Sequence, residues 1–183
     1  NVMPFGLCNA PATFQRLVDK LFASYVLLDT RAYIDDIMNF NQALDEHLEA
    51  LKRNLKILIK AKLKCKTRKC NIVQTEVIYL GYRVSQEGLG TDPAKVEKLL
   101  AWPFPLTGND MLSFLGLCNY YRPLVKSFSE LADPLYKVAQ QDTVEPTEPL
   151  KLSFELLKQA VCTAPVLRAP QPEKPFILET DAS

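Results

Sequence analysis

Apolar positions along this chain follow two periods, and the alternation between them divides it into segments. Phe14, Leu17, Val18, Leu21 and Phe22 recur at helical spacing. They follow Asn9-Ala10-Pro11, where Asn9 can cap and Pro11 suits the first turn of a helix ending near Ser24. Tyr25-Val26-Leu27-Leu28 opens an apolar run that passes through Asp29-Thr30-Arg31 to Ala32-Tyr33-Ile34, and Ile37-Met38-Asn39-Phe40 resumes it after two adjacent aspartates. This pattern predicts two short strands joined by a two-residue turn at Asp35-Asp36, since Asp tolerates the dihedrals of tight hairpins. Leu44, Leu48, Leu51, Leu55, Leu58 and Ile59 predict a second helix, over about 42–62. Those residues form its expected buried stripe, and Glu49 is placed to pair with Arg53 on the exposed side.

Strand-like spacing returns at Val77-Ile78-Tyr79-Leu80 and Tyr82-Arg83-Val84. Gly81 between them reads most simply as a bulge, and Ser85-Gln86-Glu87-Gly88 as a turn. From Thr91 the period is helical. Asp92-Pro93 opens a helix with Val96, Leu99 and Leu100 on its apolar face, ended by Trp102-Pro103-Phe104-Pro105. Thr107 caps the next, which runs through Leu112, Leu115, Asn119 and Tyr120 to Arg122-Pro123; a third carries Phe128, Leu131, Leu135 and Tyr136. A polar linker at 140–149 precedes a helix over 152–161, and a proline-rich connector at 165–175 leads to a closing strand, Phe176-Ile177-Leu178-Glu179. The fold class expected is α+β, with an α+β unit over 1–90, a helical unit over 91–163 and the start of a third element over 164–183.

Composition narrows the chemistry. With 48% apolar and 23% charged residues the chain is of the globular class, and a net charge of +1 provides no long-range field for nucleic acid, so such contact must come from local patches. One patch stands out: Lys60, Lys62, Lys64, Lys66, Arg68 and Lys69 can either neutralise phosphates or form a solvated face. Cys8, Cys65, Cys70, Cys118 and Cys162 form no C-x-x-C pair, and His47 is the sole histidine, which argues against zinc and for reduced thiols. No apolar run reaches the roughly 20 residues of a membrane span. The chain opens inside a motif without a methionine and stops just after a strand-like run, so it reads as a fragment. Asp35-Asp36 remains the leading chemical feature. Adjacent aspartates at a turn are common because Asp bonds its own backbone, yet two carboxylates at a hairpin tip can also hold a hard divalent cation.

The ordered motifs resolve that choice. Met3-Pro4-Phe5-Gly6-Leu7-Cys8-Asn9-Ala10-Pro11-Ala12-Thr13-Phe14-Gln15, Tyr33-Ile34-Asp35-Asp36-Ile37 and Tyr79-Leu80-Gly81 together resemble the reverse transcriptase of Ty3/gypsy-class LTR retrotransposons. The likeness continues through Trp102-Pro103, Phe114-Leu115-Gly116-Leu117, Asn119-Tyr120-Tyr121 and Ala164-Pro165-Val166-Leu167 to Phe176–Ser183, nearly the whole chain. It implies the C-terminal part of a polymerase palm, a helical thumb and the first strand of a ribonuclease H-like domain. Asp35 and Asp36 then match catalytic and metal-binding carboxylates of a two-Mg²⁺ nucleotidyl-transfer site, with Tyr33 and Ile34 near the primer terminus. Phe5, Gly6 and Gln15 match positions bordering the incoming deoxynucleoside triphosphate. Tyr79, Leu80 and Gly81 resemble a primer-gripping hairpin, and Gly116, Asn119 and Tyr120 a helix face along the minor groove of an RNA/DNA template-primer duplex.

Asp181 resembles the first metal carboxylate of ribonuclease H. The resemblance also implies a further palm aspartate before Asn1 and further ribonuclease H carboxylates after Ser183, so the 183 residues alone are expected to be inactive. A parent polyprotein with protease and integrase, in a cytoplasmic virus-like particle or the nucleus and not in a membrane, is the family expectation. The competing reading is a non-catalytic, decayed or host-retained element that binds nucleic acid or protein. Pro146, where relatives commonly carry Trp, and Arg122-Pro123-Leu124 in place of Arg-Arg-Phe depart from the pattern.

Overall fold

The computed structural model describes residues 3–4, 6–26, 28–168 and 174–175. They form two compact units, Asn1–Leu80 and Gly81–Ser183.

In the first unit, α1 (Ala10–Phe22) buries Val18 and Phe22, one helical turn apart, while Leu17 stays exposed. These two pack with Leu58 and with Phe14, Leu21, Ala32, Ile37 and Leu63 into a small core. Asn9 makes no side-chain cap; its carbonyl instead receives the Thr13 N–H at 3.0 Å. Among the described residues, the apolar run that opens at Tyr25 forms no strand before Thr30. There the Tyr25 carbonyl accepts the N–H groups of Leu28, Asp29 and Thr30 at 3.0–3.2 Å, so the chain coils tightly and β1 begins only at Thr30. Strands β1 (Thr30–Tyr33) and β2 (Asp36–Asn39) pair antiparallel.

Helix α2 (Leu44–Lys60) corrects the predicted stripe. Its buried residues are Ala50, Asn54 and Leu58, whereas Leu44 is 58% and Ile59 72% exposed, and Leu48 and Leu55 also face outward. Glu49 pairs with Lys52 at 2.7 Å and not with Arg53, which turns inward to Asp29. The helix ends with Lys62 at φ +60°, where the Lys62 N–H meets Ile59 O and the Leu63 N–H reaches back to Leu58 O, both at 2.9 Å. That left-handed exit returns Leu63 to the core. The basic run beyond it is exposed around a short 3₁₀ turn, Thr67–Lys69, and β3 (Glu76–Tyr79) closes the unit.

The second unit opens with the hairpin β4 (Tyr82–Ser85) and β5 (Gly88–Thr91), turning through Gln86-Glu87 as expected. β5 was not legible as a strand, because Gly88-Leu89-Gly90 has little strand propensity. Its glycines have a steric reason: a Cβ on Gly88 would lie 2.2 Å from Leu167 O. Leu89 and Leu167 exchange two N–H···O bonds of 2.8 Å there, so the connector lies along β5.

Asp92 caps α3 (Pro93–Leu100) through the Ala94 N–H, and Thr107 caps α4 (Gly108–Tyr120) through the Asp110 N–H, both as predicted. With α5 (Phe128–Val138) and α6 (Glu148–Cys162) they enclose a core containing Leu99, Met111, Phe114, Tyr121, Leu135, Phe154 and Leu157. The Phe114 and Phe154 rings lie 4.5 Å apart at its centre. The polar stretch before α6 is anchored as well: Val144 is buried and donates its N–H to Leu106 O. Lys158 is 7% exposed and donates to Trp102 O at 2.9 Å, tying α6 to the end of α3.

Cys118 sits in this core, and burial, with a smaller contribution from Cys162, pushes its thiol up to about 12. Iodoacetamide at about pH 8 is therefore expected to modify the exposed Cys8, Cys65 and Cys70 and to spare Cys118 until denaturant is added, because only the thiolate attacks. Native-state labelling of Cys118 at the rate of Cys65, read by peptide mass, would contradict this packing.

Candidate functional site

Tyr33 pairs with Asp36, which makes Ile34-Asp35 the two-residue turn in place of the predicted Asp35-Asp36. Asp36 is thus the first residue of β2 and Asp35 the turn residue beside it; both side chains are exposed. No hydrogen bond or ion pair among the described residues engages either carboxylate. Tyr33 is exposed at the end of β1. Half-buried Tyr79 lies close enough that burial first, and then the Asp36 charge, pushes its phenol up.

Ile34 carries a φ of +52°, a left-handed conformation that a β-branched residue adopts at a cost of about 1–3 kcal/mol. The surrounding structure holds it there. Gln15 on α1 accepts the Ile34 N–H with Oε1, while its Nε2 donates to Ala32 O at 3.3 Å and to Asp19 Oδ1 at 2.7 Å. Gln15 thereby braces the turn from behind. Gln15→Ala is expected to lower stability by about 1–2 kcal/mol, seen as a lower urea midpoint, since it leaves the Ile34 N–H unpaired. An unchanged midpoint would mean that the turn holds itself.

A polar network, not foreseen from the sequence, fixes the other end of the hairpin. Thr30 lies opposite Asn39, and the Asn54 amide on α2 donates to both, at 2.9 Å to Thr30 Oγ1 and 2.6 Å to Asn39 Oδ1. Arg53 donates to Asp29 and lays its guanidinium 4.0 Å from the Tyr25 ring centroid. Burial alone would raise the Asp29 carboxyl, but hydrogen bonds and charge from Arg53, with Thr30, hold it below the ordinary value. Since a one-residue slip turns every strand side chain to the opposite face, this clamp decides where the two aspartates project.

In the second unit the chemistry gathers around Gly81. Leu80 and Gly81 both have positive φ, +48° and +72°, so they form a two-residue turn with the φ signs of type I′ where a bulge was expected. Tyr121, buried beneath, donates its hydroxyl to Gly81 O at 2.8 Å and accepts the Asp92 N–H at 3.3 Å. Tyr82 stacks on Tyr120 with centroids 4.9 Å apart and donates to the Tyr120 carbonyl at 2.7 Å. Burial raises all three phenols. Gly116, Asn119 and Tyr120 share the exposed face of α4, and nothing lies within 4 Å of where a Gly116 Cβ would sit. At Gly116 that face is open.

Gly6, at φ +93°, is exposed. Phe5 and Asp181, like the closing strand at 176–179, lie outside the described residues. Among the described residues no three Asp, Glu, His or Cys side chains cluster as a metal site. No helix there is long and apolar enough to cross a membrane.

Comparison with known proteins gives these residues a context. Residues 1–84 match the family described as reverse transcriptase (RNA-dependent DNA polymerase), and residues 147–183 the RNase H-like domain found in reverse transcriptase. Over 99% of its length the chain is 36% identical to the retrovirus-related Pol polyprotein from transposon 297 of Drosophila melanogaster. The chain is similar to the reverse transcriptase and RNase H-like region of retrotransposon Pol polyproteins.

It is also 32% identical, over 99% of its length, to the Pol polyprotein from transposon gypsy of the same fly, and 32% identical over 100% to the transposon Tf2-3 polyprotein of Schizosaccharomyces pombe. It spans 17%, 19% and 14% of these three polyproteins. Among solved structures it matches the foamy viral protease-reverse transcriptase in complex with double-stranded DNA, with a TM-score of 0.86 and 29% identity over 93% of this chain and 30% of that one. The same viral protein in complex with RNA/DNA hybrid matches at 0.85 and 29%, over 94% of this chain and 24% of that one. The α+β fold is therefore that of the matching part of the foamy viral protease-reverse transcriptase. The Asp35-Asp36 hairpin falls within the region matching the reverse transcriptase family, and α6 within the region matching the RNase H-like family.

Proposed function

We propose that this chain supplies part of the polymerase site and the duplex-holding surface of an RNA-directed DNA polymerase that replicates a retroelement. The observation that carries the reading is the braced hairpin tip: two adjacent, exposed carboxylates that no hydrogen bond or ion pair among the described residues engages, on a turn held by Gln15. Side chains so placed are free to bind something else. Their hard oxygen donors fit Mg²⁺, although an octahedral ion pair needs more carboxylates than these two. Asp35 and Asp36 would hold such ions, which when bound activate a primer 3′-hydroxyl and offset charge on the departing pyrophosphate.

Tyr33 and Ile34 place the primer end beside those carboxylates. Gly6, with Phe5, borders the incoming deoxynucleoside triphosphate; Gln15 serves that site from behind, by fixing the turn. Leu80, Gly81 and the open face of Gly116, Asn119 and Tyr120 contact the template-primer duplex, a reading supported by the duplexes held in the foamy viral relatives. Asp181 would serve the ribonuclease H centre.

Two measurements test this. In the full-length parent protein, Mg²⁺ should support template-dependent primer extension that EDTA stops. The chain itself should shift the fluorescence anisotropy of a labelled RNA/DNA hybrid, with an affinity that falls as salt rises. Absence of both would refute the reading.

A further inference from the structure

We infer that Lys95, on the first turn of α3, is a phosphate-contacting residue for the nucleic-acid duplex, held ready by the Gly81 turn and the tyrosine cluster. The inference rests on the duplex-binding reading above and adds to it a residue that no motif singled out. The Lys95 ammonium lies 4.3 Å from the Tyr120 ring centroid and 5.9 Å from that of Tyr121. It occupies the space that a side chain on residue 81 would need: a Cβ there would sit 2.4 Å from Lys95 Nζ and 3.3 Å from the Tyr120 hydroxyl. Lys95 is half-buried, and no carboxylate pairs with it among the described residues. Asp92, three residues before it at the start of α3, directs its carboxylate to the Ala94 N–H at 3.0 Å.

Aromatic faces attract an ammonium but do not neutralise it. A cation fixed in this way has lost much of its rotamer freedom before any ligand arrives, which lowers the entropy cost of binding an anion. It stands between the Gly81 backbone and Tyr120, the two surfaces assigned to the duplex within this unit. A strand touching both would bring a phosphate to it. Lys137, by contrast, is ion-paired to Asp133 at 2.6 Å on the outer side of α5 and is the natural control.

The test is the salt dependence of binding to a fluorescein-labelled RNA/DNA hybrid. Lys95→Gln is expected to weaken binding roughly five- to tenfold at low salt and to reduce the slope of log affinity against log salt by about 0.9, the signature of one lost phosphate contact. Lys95→Arg should keep the wild-type slope, and so should Lys137→Gln. A purely structural staple would lower the melting temperature of Lys95→Gln and leave its slope untouched, and that result overturns the inference. Equal slope changes in Lys95→Gln and Lys137→Gln would also overturn it, by showing diffuse electrostatics. If the wild-type chain does not bind the hybrid at all, the duplex-binding reading itself fails.

Discussion

Asp35→Asn in the full-length parent should reduce primer extension by on the order of a hundredfold or more while leaving the hairpin folded. The size follows from losing a preorganised charge where charge develops in the reaction, a loss worth two to three powers of ten for a single stabilising group. The selectivity follows from geometry. Asp35 is exposed at the turn and makes no hydrogen bond or ion pair among the described residues, so the isosteric amide removes charge and little else. Thermal unfolding should stay within about 0.5 kcal/mol of wild type, as for surface changes away from special features. Affinity for the hybrid should also persist, since the surface around Gly81 and Tyr120 is untouched. Undiminished synthesis by the variant would remove Asp35 from the catalytic role.

Asn54→Leu is expected to be the more damaging change to the fold. The amide is buried and donates to one residue of each strand. Leucine would strand the Asn39 oxygen and weaken the seat of Thr30, costing about 2–3 kcal/mol. The urea midpoint should fall accordingly, and primer extension in the parent should fall further than instability alone explains, because the strand pairing at Thr30–Asn39 is no longer imposed. A variant with wild-type midpoint and activity would show that β1 and β2 set their own pairing. Acid should imitate part of this loss. The Asp29 carboxyl lies below its ordinary value in the folded chain, so its stabilising share is complete above about pH 4 and disappears as pH falls through the lowered folded value.

The sequence carried the helix starts well, since Asp92-Pro93 and Thr107 act through their own side chains on the next few residues. It located the hairpin but placed the turn one residue late. The liking of Asp for turns is local, whereas the pairing is imposed by Gln15 and Asn54, 19 residues before Ile34 and 24 after Thr30. In α2 the apolar period was real, yet periodicity shows which face is greasy and not which is covered; small Ala50 and polar Asn54 took the buried side. β5 stayed hidden because its glycines answer to Leu167, far along the chain. The candidate carboxylates were visible as residues. What holds them was not.

The Leu89–Leu167 bridge has a consequence for how the protein behaves among its own copies. A glycine-rich strand with a bare outer rim is an adhesive surface, since its unpaired amides and carbonyls can recruit a strand from another molecule. Val166 and Leu167 occupy that rim on β5, with the missing side chains of Gly88 and Gly90 admitting them. The connector is thus a cover as well as a link, and a strand from another copy meets the Leu167 backbone before it reaches Leu89.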